Sequence, residues 1–371
     1  MKKIAFLLDG IGNRRHHFQF KILKKHNFTL YALIFEEYIK GARLQEDLAS
    51  FFYPLPFKRN EVLRKFSFKF LKYFINFVKK EGIKAVFTHH WRFLRYAILT
   101  KLFRPELKII YHIIVGGTLK HPGRRLFFRL FKNKIDCILV NSSALKNELI
   151  ATRLVKPEEV ELLYTSFDLE YFPQDLSKEE ARTMLNLPCE AFIFGMVAKF
   201  RPEKRQADLI KAFHLAHKEI PKAVVVFVGD GPLREECEAL TKKLSLENRV
   251  IFVGKVSQNL VPIYLCAFDV LVHTSIREGM PLAVLEGLAV GLPIIATDAE
   301  GVPDIFATEE PIGYLVPKRD VKAIAEALKK IYYLPKDELS LLGKNAKNRF
   351  LKAFSPEVFE KQTIEIFSRF F

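Results

Sequence analysis

The sequence predicts an α/β protein made of two Rossmann-like domains, and three observations carry that prediction. Short apolar runs alternate with longer amphipathic stretches along the chain, the pattern of strands and crossover helices in parallel sheets. The alternation occurs twice, once on each side of a polar stretch near residues 168–191 that reads as the join. Turns rich in glycine, proline and charge follow directly after the apolar runs, which is where open parallel sheets bind ligands.

In chain order, the first half offers KIAFLL, FTLYALIF, AVFTH, KIIYHIIV and CILVNSS as strands. The second half offers FIFGMVAKF, AVVVFVGDG, VIFVG, DVLVHTS and PIIATD. Their Val, Ile, Leu and Phe content suits strands buried on both faces. KRQADLIKAFHLAHKEI and LREECEALTKKLSL read as helices between them.

Composition limits the possible classes. Apolar residues make up 49% of the 371, an ordinary globular share, and the length suits two or three domains. No apolar run reaches the roughly 18 residues that a membrane span needs. The opening MKKIAFLLDGIG starts like a leader peptide, but Asp9 interrupts it, so a buried first strand is expected. Cys137, Cys189, Cys237 and Cys266 have no paired spacing, which argues against a zinc site or disulfide framework and for a reducing cytoplasm. The formal charge of +17 sits wholly in the first half: residues 1–173 carry 32 Lys and Arg against 15 Asp and Glu, and the remainder carries 27 of each. Such a basic face attracts phosphorylated substrates, anionic lipid or nucleic acid; a solvated lysine-rich surface would look the same.

The turns hold the candidate residues. In KFRPEK, Lys199 and Lys204 flank Pro202 ahead of a helix, and two cations beside a helix N-terminus suit a diphosphate. A solvated basic loop reads the same way. GDGP at 229–232 lacks the spacing of GxGxxG and reads as a plain strand-to-helix turn. The G-I-G of Gly10 to Gly12 also lacks a third glycine, yet Gly12 suits a close approach of backbone N–H groups to a phosphate. In REGMPLAVLEGLAVGLPIIATDAEG, residues 277–301, Glu278 and Glu286 stand eight residues apart in an apolar setting. Pro281 suits a first helical turn and Gly291 a stop. At about 1.5 Å rise per residue the two carboxylates would lie roughly 12 Å apart. That exceeds the about 5–10 Å of paired glycosidase acids. It suits two ends of one elongated ligand, each acid accepting hydrogen bonds from vicinal hydroxyls. A nucleotide sugar has this layout, with a diphosphate between sugar and ribose.

These residues resemble the retaining glycosyltransferases of the two-domain GT-B fold, family four, the group 1 glycosyl transferases. The resemblance spans nearly the whole C-terminal half, through GMVAKFRPEK, FVGDGPLREECEAL, RVIFVGKV, the stretch from YLCAFDVLVHTS to GVPDIF, and GYLVPKRD. Glu278 and Glu286 match its E-x7-E motif; the first half matches more loosely, through VNSSALKNELIATR, YTSFDLEYF and His112 in KIIYHII. The resemblance implies two Rossmann-like domains facing across a cleft. An acceptor-binding domain would occupy residues 1–170 and a nucleotide-sugar-binding domain residues 171–354, with residues 355–371 forming a helix that crosses back to the first. It also implies a donor site. Glu286 would bind ribose hydroxyls and Glu278 the donor sugar. Gly279, Met280, Pro281 and Leu282 would hold that sugar and its phosphate, and Gly254, Lys255 and Val256 would line the base pocket. Gly12, Lys199 and Lys204 would meet the phosphates. Lys199 stands where the family usually has arginine and lacks the bidentate fork. His112 matches a histidine near donor sugar and acceptor, although a satisfied strand histidine reads the same. The catalytic set so implied is His112, Lys199, Lys204 and Glu278. Asp304 stands where a glutamate is commoner and carries little weight.

The chemistry is cleavage of a bond between an anomeric carbon and a diphosphate, where charge builds on the departing oxygen and preorganised cations and N–H groups stabilise it. No D-x-D occurs in the chain, so neither metal nor cofactor is expected, only a UDP- or GDP-type sugar as donor. The resemblance implies retention of configuration, with closure of the domains limiting hydrolysis. The acceptor is expected on the basic half: a glycan, phosphorylated or lipid-linked, used in cell-envelope polysaccharide or lipopolysaccharide synthesis at the cytoplasmic face of the membrane. KRNEVLRKFSFKFLKYFINFVKK, with Phe66, Phe68, Phe70, Tyr73, Phe74 and Phe77, and RRLFFRLFKNK mix cations with aromatics. Each suits peripheral contact with an anionic membrane or an ordinary helix covering the sheet. A nucleotide-sugar epimerase on the same plan and a non-catalytic nucleic-acid or nucleotide binder are the competing readings. The first needs no basic half; the paired glutamates and lysines argue against the second, so no nucleic-acid partner is expected.

Overall fold

The computed structural model describes residues 2–9, 14–39 and 52–371. They divide into two compact units, Met1–Phe167 with Pro356–Phe371, and Asp168–Ser355. Each unit is built on one parallel sheet. The first contains β1 (Lys2–Leu7), β2 (Phe28–Phe35), β3 (Phe52–Leu55), β4 (Ala85–Thr88), β5 (Lys108–Ile113), β6 (Cys137–Val140) and β7 (Val160–Leu162), in the order β3-β2-β1-β4-β5-β6-β7. The second contains β8 (Phe192–Val197), β9 (Ala223–Val228), β10 (Val250–Gly254), β11 (Val270–His273), β12 (Ile294–Thr297) and β13 (Gly313–Val316), in the order β10-β9-β8-β11-β12-β13. The strand order reverses between β1 and β4 and between β8 and β11. Crossover helices diverge at such points and leave a crevice at the strands' carboxyl ends.

Five strands per half are expected from the sequence, and β3, β7 and β13 are additions. All three are short edge strands, FYPL, VEL and GYLV, in which a proline, a glutamate or a glycine breaks the apolar run. Pro54 sits inside β3 without penalty, because an edge strand has one side on which no N–H is required.

Alternate residues of β1 enter opposite layers, as a pleated strand requires. Ala5 and Leu7 join a cluster with Phe70, Phe93, Tyr96 and Tyr111, while Ile4 and Phe6 join Phe20, Phe87, Phe359 and Phe367. The last two come from the terminal helix Pro356–Ser368, which completes the N-terminal unit's core. Its Glu360 takes hydrogen bonds from Lys25 (2.8 Å) and His26 (2.7 Å).

The helix Phe68–Glu81 follows from local chemistry. The Ser67 hydroxyl caps it by accepting from the Phe70 amide (3.2 Å), and Gly82 ends it with φ at 66°. Phe70, Phe74, Phe77 and Val78 fall on one stripe and are buried. The Phe70 ring meets Tyr96 at 4.7 Å, and Phe57 meets both Phe70 (5.4 Å) and Tyr73 (5.3 Å). Of the two readings of this segment, membrane contact or an ordinary helix covering the sheet, this packing is that of the second. Among its six aromatics from Phe66 to Phe77, only Phe68 is exposed, at 78%.

The polar stretch expected as a join is also folded. The helix Lys178–Met184 belongs to the C-terminal unit and starts with a capping box between Ser177 and Glu180. Arg182 is buried, and its guanidinium donates to the carbonyls of Ala267 (2.9 Å), Cys189 (2.7 Å) and Ala191 (3.0 Å) and to Asp269 (2.6 Å). Asp269 also accepts from Lys178 (2.6 Å) and from the amide of Ile193 (2.7 Å). This carboxylate aligns the starting ends of β8 and β11. Replacing Asp269 with Ala leaves Arg182 buried and unpaired and should cost about 3–5 kcal/mol of unfolding free energy, measured by urea titration at neutral pH.

Candidate active site

At the carboxyl ends of β8, β11 and β12, hydroxyl groups stitch neighbouring loops together. β8 runs into a loop that closes with a single turn, Pro202–Lys204, before the helix Gln206–Ala216. Between them Arg205 has φ at 57°, a left-handed conformation that costs a side-chain-bearing residue about 1–2 kcal/mol. Its fork onto Asp208, with both contacts at 2.8 Å, helps hold it there. The Thr274 hydroxyl donates to the Lys204 carbonyl (3.0 Å), and the Ser275 hydroxyl and Ile276 amide both donate to the Glu203 carbonyl at 2.9 Å. Thr297, at the end of β12, donates to the carbonyls of His273 (3.3 Å) and Ser275.

The GDG turn after β9 supports the same loop from the other side. A Cβ on Gly229 would lie 2.1 Å from the Ala198 carbonyl oxygen, and one on Gly231 2.5 Å from that of Phe200. Only glycine allows this approach, which lets the Phe200 amide donate to the Asp230 carbonyl at 3.0 Å.

The stitched loops bring Lys204 and Glu278 together. The Glu278 side chain is only 11% exposed, and its Oε1 accepts from Lys204 Nζ and from His273 Nε2 (3.0 Å). A carboxylate only accepts, so His273 presents an N–H at Nε2. The Glu278 amide donates to Glu300 (2.8 Å), and its carbonyl accepts from the amide of Gly301 (3.1 Å). Burial pushes the Glu278 carboxyl up, but His273 and Lys204 outweigh it and hold the group at about 2. Glu278 is therefore an anion at neutral pH. His273 and Glu300 were not anticipated from the sequence. The available signal was position: His273 ends an apolar strand immediately before the candidate loop.

The other candidates in this unit lie nearby in sequence but differ in setting. Glu286 is buried within the helix Leu282–Ala289, and Met280 and Pro281 are buried just ahead of it, with Gly279 and Leu282 half-buried. Pro281, expected in the first turn, is the N-cap of this helix, with φ −77° and ψ 110°, and residues 278–281 are held ahead of the helix by the contacts to Glu300 and Gly301. Gly291, at φ 77°, ends the helix as anticipated. Lys199 is exposed, and its carbonyl accepts from Gln206 (3.0 Å), so the two lysines are not equivalent: one is solvated and the other is ion-paired. Gly254 closes β10 and accepts from the Gly229 amide (2.9 Å), with Lys255 exposed and Val256 half-buried beyond it. Asp304 is buried in the helix Val302–Phe306. A cavity of about 800 Å³, lined by Phe192, Asp269, Tyr332 and Lys344, lies at the starting ends of the strands and, of the residues above, touches only Gly291.

In the N-terminal unit His112 is buried near the end of β5, its ring 5.8 Å from that of Phe87. Gly12 lies outside the described residues. A second constellation, not anticipated from the sequence, occupies the carboxyl ends of β1 and β4. Arg59 forks onto Asp9 (2.6 and 2.8 Å), and His90 Nε2 lies 3.5 Å from the same carboxylate. His90 Nδ1 accepts from the Arg92 amide (3.3 Å), capping the helix Trp91–Phe103. The neutral ring therefore carries its proton at Nε2, facing Asp9. Burial lowers the His90 pKa by more than Asp9 raises it, which favours that neutral ring. Among the described residues no three His, Cys, Asp or Glu side chains converge as a metal-binding group.

Because Glu278 is held down at about 2, from an ordinary value of 4.5, the stability it contributes is complete above about pH 4.5 and is lost as pH falls through 2. The shift corresponds to about 3 kcal/mol. The stability advantage of the native chain over Glu278→Gln should therefore shrink by roughly that amount between pH 6 and pH 2, followed by urea unfolding across the range.

Comparison with known proteins agrees with this architecture. The family model for glycosyl transferases group 1 matches residues 177–349, and that for Glycosyltransferase Family 4 matches residues 24–171. An Escherichia coli protein named UDP-Gal:alpha-D-GlcNAc-diphosphoundecaprenol alpha-1,3-galactosyltransferase is 25% identical over 362 residues, 94% of this chain and 91% of its own. A Campylobacter jejuni N-acetylgalactosamine-N,N'-diacetylbacillosaminyl-diphospho-undecaprenol 4-alpha-N-acetylgalactosaminyltransferase is 28% identical over 231 residues, 62% of this chain and 59% of its own. Among solved structures, Anabaena HepE in complex with UDP superposes over the full length of both chains with a TM-score of 0.83 at 18% identity. Sucrose-phosphate synthase from Thermosynechococcus elongatus gives 0.80 at 22% identity, over 100% of this chain and 99% of its own. At such identities the structural likeness is one of fold. With the two family models together spanning most of both units, the chain belongs to the group 1 glycosyl transferases and has their GT-B fold.

Proposed function

We propose that this glycosyltransferase moves a sugar from a UDP-sugar to a lipid-linked glycan acceptor, with retention of anomeric configuration and without a metal ion. The observation that carries the reading is the Lys204–Glu278–His273 cluster at the switch point between β8 and β11. Lys204 places a cation where a departing diphosphate gathers charge, and its pairing with Glu278 keeps the carboxylate from repelling that diphosphate. Both donors to Glu278 go to Oε1, which leaves Oε2 to accept from a sugar hydroxyl. Glu286 binds the ribose hydroxyls, the backbone of Gly279 to Leu282 lies along the sugar and its phosphate, and exposed Lys199 adds a second, mobile charge. The residues from Gly254 to Val256 meet the base.

In the reaction, the bond from the anomeric carbon to the phosphate oxygen breaks while the acceptor oxygen bonds to that carbon on the same face. The acceptor's hydroxyl proton passes to the departing phosphate oxygen. Asp9, Arg59, His90 and His112, on the basic unit, orient the acceptor. A UDP donor is supported by the name of the E. coli relative, and an undecaprenyl-diphosphate-linked acceptor by the names of the relatives in E. coli and C. jejuni. Such an acceptor places the work at the cytoplasmic face of a membrane, in the synthesis of an envelope glycan such as lipopolysaccharide. Among the described residues no helix is long and apolar enough to cross a membrane.

The decisive experiment follows release of UDP from a panel of UDP-sugars with and without an undecaprenyl-diphosphate glycan. Acceptor-dependent release, undiminished by EDTA, is expected; GDP-sugars serve as the donor control. Release that ignores the acceptor, or epimerised sugar in its place, would refute the transferase reading. Glu286→Ala should abolish the thermal stabilisation by UDP-sugar, which for the native chain is about 2.7 kcal/mol at 100 times the dissociation constant. Lys204→Ala should lower kcat by about 10²–10³-fold.

A further inference from the structure

We propose that the cavity of about 800 Å³ at the starting ends of the C-terminal unit's strands is a second binding site, for a small organic phosphate with an aromatic or apolar body. The proposal goes beyond the transferase reading above and does not rest on it: none of Lys199, Lys204, Glu278 or Glu286 lines the cavity. Small-molecule sites have about this volume, a largely apolar lining and a few convergent polar groups. Here the Phe192 ring stands 5.2 Å from that of Tyr332, and Phe268, Leu292 and Leu339 continue the lining. Four lysines but a single carboxylate, Asp269, line the same space. Asp269 already accepts from Lys178 and Arg182, both at 2.6 Å, which accounts for one of the four. The remaining positive charge is a local feature, because this half of the sequence has balanced charge.

The other three, Lys336, Lys344 and Lys347, belong to the helix Lys336–Ala353. At about 100° per residue they fall within about 80° of one another, on one face. All are exposed, and among the described residues none enters an ion pair. Asp337 and Glu338, on the same helix, do not line the cavity. A backbone contact holds the helix in place: a Cβ on Gly343 would lie 2.3 Å from the Gly291 carbonyl oxygen, so only glycine allows this approach. Like charges kept on one face repel unless an anion joins them, and a phosphate offers two charges and several acceptor oxygens. A ring against Phe192 and Tyr332 would bury the rest of the molecule. Inorganic phosphate leaves that apolar lining unused, and a neutral ring leaves the lysines unpaired. Cys266 also lines the cavity and is half-buried. Burial pushes its thiol up by more than nearby Lys347 draws it down, so it is a reporter of occupancy and not a nucleophile.

The test titrates the full-length protein with 1-naphthyl phosphate and follows alkylation of Cys266 by iodoacetamide at mildly alkaline pH, using peptide mass spectrometry. Cys189, exposed and outside the cavity, is the internal reference. The naphthyl phosphate is expected to protect Cys266 and leave Cys189 reactive, with 1-naphthol and inorganic phosphate each at least about tenfold weaker. Lys344→Gln with Lys347→Gln should raise the dissociation constant about tenfold. Ser340→Trp, from an exposed position on the lining, should abolish protection, whereas Lys352→Gln, on the same helix but outside the cavity, leaves it unchanged. Thermal stability should be native-like in every variant, which excludes misfolding as the cause. No protection of Cys266, equal protection by 1-naphthol, or full protection in the double lysine variant would overturn the proposal. So would protection that saturating UDP-sugar removes, since the probe would then occupy the donor site. A native dimer in which Cys266 is already unreactive would overturn it too, because a second copy of the chain would fill the cavity. Donor binding is read separately: a protein that keeps Cys266 protection but is not stabilised by UDP-sugar loses the donor reading alone, and the converse result loses this site alone.

Discussion

The ionised carboxylate of Glu278 constrains the rest of the C-terminal unit. A charge with this little exposure costs several kcal/mol unless partners surround it. Lys204 and His273 supply the hydrogen bonds, and they reach Glu278 only if the loops after β8 and β11 end at matching heights. The surrounding structure enforces that match. Asp269 aligns the starting ends of the two strands, and Thr274, Ser275 and Thr297 tie the far ends through backbone carbonyls. The GDG turn braces the lysine loop, and Arg205 is kept in its strained conformation on Asp208. Preorganisation of this kind means the cation and the acid need not rearrange when a diphosphate arrives, and electrostatic catalysis depends on that.

The two units use one topology for different electrostatic tasks. In both, the strand order reverses beside the first strand, and a charged cluster stands at the reversal. In the C-terminal unit the cluster is a cation and an imidazole on one carboxylate; in the N-terminal unit it is Asp9 with Arg59 and a neutral His90. The half of the sequence with balanced charge carries the proposed donor site, and the half with all the excess positive charge carries the proposed acceptor site. A uniformly basic protein would hold nucleotide sugars at non-productive places on its surface. Confining the excess to one half attracts a phosphorylated acceptor to that half.

Two segments of similar composition meet opposite fates for a reason of phase. In the helix Phe68–Glu81 the aromatics from Phe70 onward recur at intervals of three and four, so Phe70, Phe74 and Phe77 form a single buried stripe while Phe68 stays outside it. In the helix Pro122–Phe131 the apolar residues occur as adjacent groups, Leu126–Phe127–Phe128 and Leu130–Phe131. Adjacent positions on a helix are about 100° apart, so the phenylalanines pack inward and the leucine of each group is turned out with the arginines.

The amino-acid sequence by itself determined the class of the fold, because parallel strands buried on both faces must be continuously apolar and the crossover helices between them amphipathic. It also marked the turns after β8 and β11, since only a turn can hold proline, glycine and paired charges directly after such strands. The edge strands β3, β7 and β13 were hidden, because a proline, a glutamate or a glycine interrupts each apolar run and the neighbour they pair with defines them. So was the aid of His273 and Glu300 to Glu278, and the joining of Asp9, Arg59 and His90. Those contacts link residues as far as 81 positions apart, His90 and Asp9, and no local pattern encodes which strand ends lie side by side. The tertiary structure decided that Lys204 is ion-paired while Lys199 is solvated, although the two lysines share one turn. A side chain's charge is written in the sequence, but its burial and its partner follow from what the rest of the chain packs around it.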